Sequence, residues 1–160
     1  MDKNGGRILI LGICLFFAMG LAAGVNLMPV LGGSGWDFPA GNSVDIKATF
    51  YKELKYAVFL WTGGFLLKKE SLVITAVILK GFIVGWAAAE LMAHGGLAEV
   101  LVYIAPLQVF SCAAVILGGA AALYCRCNPV KSGRTILFLI YENFLIFLGV
   151  ILEAIILKII

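Results

Sequence analysis

The sequence predicts an all-α integral membrane protein: one membrane domain over residues 1–160, folded as a bundle of about five transmembrane helices. Three observations lead there. Hydrophobic residues make up 62% of the 160 positions and charged residues 13%, where a soluble domain carries about half apolar and about a quarter charged residues. The mean hydropathy is +1.07. The charges also gather between long apolar runs and leave little chain for an aqueous domain. Disorder, a basic nucleic-acid-binding tail and a water-soluble enzyme core are thereby excluded. A net charge of +3, from 12 basic and 9 acidic residues, is too small and too dispersed to call for a nucleic acid or other polyanionic partner.

The first apolar run carries no charge after Arg7 until Asp37. About 20 residues cross the hydrocarbon core, so a helix over 8–28 suffices, with Pro29 closing it. A cleaved signal peptide is the competing reading, with Ala22, Ala23 and Gly24 as its small residues. The apolar stretch exceeds the 7–15 residues or so of such a segment, so a retained helix is expected. A glycine-rich loop over 31–45 follows, with Trp36 and Phe38 suited to headgroup depth.

Over 46–67 the residues Phe50, Leu54, Ala57, Val58 and Trp61 recur at helical spacing, Lys52 and Lys55 take the other side, and Glu53 flanks them. This helix is expected to start in the interface and then enter lipid; its uncharged part is short for a full span. The third helix is expected over 71–92, ended by His94, Gly95 and Gly96, and the fourth over 97–124, bent by Pro106. A basic turn leads to the fifth, over 135–157. With the N terminus inside, seven basic residues (Lys3, Arg7, Lys68, Lys69, Arg126, Lys131, Arg134) lie inside and four (Lys47, Lys52, Lys55, Lys158) outside. The positive-inside rule then places the N terminus in the cytoplasm and the C terminus outside the cell membrane.

Small residues four apart allow close helix approach where lipid supplies no hydrophobic drive. Gly20 and Gly24, following Gly12 and Phe16, form such a face on the first helix; Gly81, Gly85 and Ala89 form one on the third, and Ala114 and Gly118 one on the fourth. Packing within one bundle is the expected use, and a dimer interface is the alternative.

Ionisable groups inside a span cost about 2.5–3.5 kcal/mol on insertion scales and face the protein interior or a water-filled cavity. Glu90, His94, Glu99 and Glu153 fall toward the outer end and form a candidate polar cluster, with Gln108 and Asn143 at intermediate depth. Lys80 and Glu142 lie deeper, about 18 and about 12 Å from the inner turns at 1.5 Å per residue. They are expected to pair through the lysine's long stem, and a proton or substrate site around an unpaired Glu142 is the alternative. No spacing matches a metal motif. Cys14 and Cys112 sit in apolar runs, and Cys125 and Cys127 form one C-x-C, so packing or turn roles are expected for all four, with no metal and no cofactor. No nucleophile lies near a base at one depth, which speaks against an enzyme.

His94-Gly95-Gly96-Leu97-Ala98-Glu99, between two membrane helices, resembles the H-G-x-x-E signature of the stage II sporulation protein M family, with Glu99 one residue farther from the histidine. Lys80-Gly81-Phe82-Ile83-Val84-Gly85 resembles the N-G-x-x-x-G stretch that precedes the signature, and Leu152-Glu153-Ala154 the glutamate-alanine pair of the last helix. The resemblance covers roughly 50–160 and implies a divergent member: a small multispan protein in which His94, Glu153 and Glu99 are shared polar elements. The expected function is that of a scaffold or subunit of a membrane complex, meeting membrane lipid and membrane protein partners or a second copy of itself. A small-solute or ion transporter, or a subunit of one, using the interior polar residues is the alternative.

Overall fold

The structure is a computed structural model and describes residues 3–31, 46–67, 69–94, 96, 105–127 and 132–159. It is all-helical, with no strand among the described residues. Helix α1 spans Lys3–Leu31, α2 Ile46–Trp61 continuing through a π-helical turn at Thr62–Leu66, α3 Glu70–His94, α4 Ala105–Cys127 and α5 Ser132–Ile159.

Several boundaries differ from the sequence reading, each for a local reason. Helix α1 runs on past Pro29 to Leu31: a proline in the last turn disturbs only the bonds of that turn. Helix α4 starts at Ala105, eight residues later than expected, which puts Pro106 in its first turn. There the missing N–H would have no helical acceptor anyway, so Pro106 opens this helix and does not bend it. Helix α2 loses its α geometry at Thr62, where Gly63 and Gly64 follow, and the Leu67 N–H donates to Thr62 O at 2.8 Å across a wider turn. A Cβ on Gly63 would lie 2.8 Å from the Leu72 Cβ, so the chain reverses into α3 at a place where only a bare backbone fits. Helix α3 stops at His94, and Gly96 follows at φ 80°, a backbone conformation that carries no Cβ penalty in glycine. Of the expected loop over 31–45, Leu31 ends α1, and residues 32–45, with Trp36 and Phe38, lie outside the described residues, as does Glu99.

Among the described residues four stretches are long and apolar enough to cross a membrane: Arg7–Val30, Glu70–Ala93, Leu107–Tyr124 and Ile136–Ile156. The expected second span is not among them, because α2 is short and carries Lys47, Lys52, Glu53 and Lys55. The packing nevertheless gives α2 a place. Gly20 lies on Ile78 and Gly24 on Phe82, so α1 and α3 run parallel in contact. Glu53 meets Lys80 while Gly63 meets Leu72, so α2 runs antiparallel to α3. Helix α2, which follows α1 and precedes α3 in the chain, thus runs back through the bundle against the direction of both.

Helix α4 sits at the centre and touches the other four. Its composition explains this: Ser111, Ala114, Gly118, Gly119, Ala120, Ala121 and Ala122 are all buried, and such a thin helix admits neighbours on every side. Val115, Ala120 and Ala122 of α4 join Ile13, Leu60, Val73, Ala76 and Val77 in the main apolar core. Ala114 packs with Ala57 and Ile146 in a second cluster. Leu11, Leu15 and Met19 of α1 and Leu137, Tyr141 and Phe144 of α5 point outward, as lipid-facing residues do.

Candidate functional site

The polar residues inside the bundle fall into two groups at different heights along α2. The first is centred on one carboxylate. Glu53 Oε2 accepts a hydrogen bond from the Lys80 ammonium at 2.6 Å and another from the Ser111 hydroxyl. Lys80 is 1% exposed, Glu53 7% and Ser111 0%, so the cluster is sealed inside the protein and ties α2, α3 and α4 to one oxygen. The Lys80 ammonium also stands 4.9 Å from the centre of the Tyr56 ring, within cation–π range. Glu153 of α5 lies in the electrostatic field of Glu53, Lys52 and Lys80.

This corrects the expected pairing of Lys80 with Glu142. Among the described residues α3 and α5 do not touch, because α2 and α4 stand between them, and Glu53 offers Lys80 a closer carboxylate. Sequence reasoning passed over Glu53 by placing it at the edge of the lipid-facing side of α2. The buried face is Glu53, Ala57 and Leu60, which shares Ala57 with the apolar face read at Phe50, Leu54, Ala57, Val58 and Trp61 and is turned from it toward Glu53. A signal was present in the sequence: Glu53 is the acidic residue of a helix whose other charges, Lys47, Lys52 and Lys55, are exposed or half-exposed lysines.

The second group is built on Glu142, which is 2% exposed. The Trp61 indole N–H donates to Glu142 Oε2 at 2.5 Å, and among the described residues Oε1 has no hydrogen-bond partner. The carboxyl lies against Gly118 of α4, where a Cβ would come within 2.5 Å of Glu142 Cδ and 2.7 Å of Oε2. Gly118 therefore makes the space that the carboxyl occupies. Trp61 also forms part of the wall of an apolar groove of about 390 Å³ between α2 and α5, with Leu54, Ala57, Val58, Thr62, Leu66, Leu139 and Asn143. Asn143 donates to the Leu139 carbonyl of its own helix at 2.8 Å.

The candidate outer cluster is only partly described. Glu90 is buried on α3 at 3% exposure. His94 closes α3, but its side chain, like all of Glu99, lies outside the described residues. Gln108 accepts a weak bond from the Cys112 thiol of its own helix at 3.8 Å. Among the described residues no three His, Cys, Asp or Glu side chains converge as a metal centre requires.

Chemically, the first group is closed. A serine hydroxyl donating to a carboxylate is the contact of a nucleophile with its base, but Ser111 is fully buried and the accepting oxygen is shared with an ammonium. No family model matches the chain, and neither a curated protein nor a solved structure matches it.

Proposed function

We propose that the chain is a membrane scaffold, or a subunit of a membrane complex, that holds protein partners or a second copy of itself by its helix faces. One observation carries this reading. The buried charges of Glu53 and Lys80 are spent on each other, while the groove between α2 and α5 is walled mostly by apolar side chains. A transporter needs the opposite arrangement, with polar groups lining an open path and apolar groups sealing the rest. The resemblance to the stage II sporulation protein M family fits the same reading. In the membrane the N terminus is cytoplasmic and the C terminus lies outside, as the distribution of basic residues requires.

The test uses membranes of the native host solubilised in mild detergent. The chain is expected to migrate in an assembly well above its own 17.1 kDa, at fixed stoichiometry with one membrane protein or with itself, and a C-terminal reporter active only in the cytoplasm should stay silent. A chain that migrates as a monomer at native abundance would overturn the scaffold reading.

A further inference from the structure

Glu142 stands apart from the other interior charges. Among the described residues no charged side chain acts on it, and the contacts to its carboxyl are the Trp61 indole and the Gly118 backbone. Two helices pack on α5, namely α2 and α4. On α2, Glu53 is bound to Lys80 and Ser111 and lies two turns from Trp61, about 12 Å along the axis. Tyr56 lies beneath the Lys80 ammonium, and Lys47, Lys52 and Lys55 face outward. On α4 the titratable groups among the described side chains are Cys112 and Tyr124, each well over a turn from Gly118, about 9 Å along the axis. On α5 itself Tyr141 points outward, and Glu153 lies three turns away toward Glu53 and Lys80.

A carboxylate taken out of water without a counter-charge is held neutral instead. Among the described residues the surroundings of Glu142 supply one donor, on Oε2, and leave Oε1 buried without one. We propose that Glu142 is a proton-binding site, in which a bound proton on Oε1 stands where a cation would otherwise be needed. Release breaks the Oε1–H bond, leaves the electron pair on the carboxylate and passes the proton to water, while the indole N–H stays on Oε2. Trp61 belongs both to this hydrogen bond and to the wall of the α2–α5 groove, so the state of the carboxyl is felt at the groove. The site is independent of the scaffold reading: a carboxyl can bind a proton in a protein that transports nothing.

Infrared spectroscopy of the full chain in lipid vesicles tests this directly. At neutral pH the wild type should show the C=O stretch of a protonated carboxyl that Glu142→Gln lacks, and alkaline pH should replace it with carboxylate bands. Trp61→Phe should keep the band but move it to higher wavenumber, because the indole no longer draws on the carboxyl; this variant decides the matter where Glu142→Gln does not assemble. Identical wild-type and Glu142→Gln spectra in this region at neutral pH, or a band that Trp61→Phe leaves unmoved, would overturn the proposal.

Discussion

At the scale of the residue, Glu53 Oε2 is the point on which three helices converge. A buried ion pair need not stabilise a protein more than a well-packed apolar pair, but removing one member strands the other and costs about 3–5 kcal/mol. Lys80→Met and Glu53→Leu should each destabilise the bundle on that order in detergent unfolding, and the double variant should recover most of the loss. Ser111→Ala should cost less, about 1–2 kcal/mol, since the oxygen it leaves keeps its ammonium partner. Lys80→Met combined with Glu142→Gln should be additive within about 0.5 kcal/mol, as expected for side chains that share no partner. Strong coupling in that second cycle, or none in the first, would contradict the pairing.

At the scale of the element, the seam between α1 and α3 depends on bare backbone. Gly20 and Gly24 of α1 lie on the backbone at Ile78, Phe82 and Trp86, while Gly81 and Gly85 of α3 lie on Phe17 and Leu21. A Cβ on Gly20 would come within 2.9 Å of the Ile78 carbonyl carbon, whereas one on Gly12 meets nothing within 4 Å. Gly20→Ala should therefore push the helices apart and destabilise, by roughly 1–3 kcal/mol as overpacking does. Gly12→Ala should be neutral or stabilising, by up to about 1 kcal/mol from helix propensity. Thermal unfolding of the two variants side by side checks the contrast, and equal effects would show that the seam is not tight. The two small-residue faces were legible in the sequence, because spacing of small residues along a helix survives any choice of neighbours; that they meet each other was not. The inward face of α2 was not: its apolar residues spread around the helix, and which side is inside depends on where Lys80 and Ser111 sit in two other helices.

At the scale of the whole molecule, composition and the spacing of charges made the helical membrane bundle legible before any contact was known. What they did not give was which helices touch. Depths measured from the inner turns brought Lys80 and Glu142 to within about one turn of each other, but depth says nothing of position around the bundle, and α4 lies between their helices. The thinness of α4, with Ser111, Ala114 and Gly118 on its buried faces, lets it take the centre and keeps the closed Glu53 and Lys80 pair apart from the Glu142 carboxyl. The central claim is that these charges hold the bundle together and line no path through it. Permeability of vesicles containing purified protein tests it most directly, for alkali cations and small solutes, with wild type beside the Lys80→Met, Glu53→Leu double variant and the His94→Ala, Glu99→Gln variant. Permeability at the level of protein-free vesicles in all three is the predicted result; flux in the wild type that either variant abolishes would contradict it.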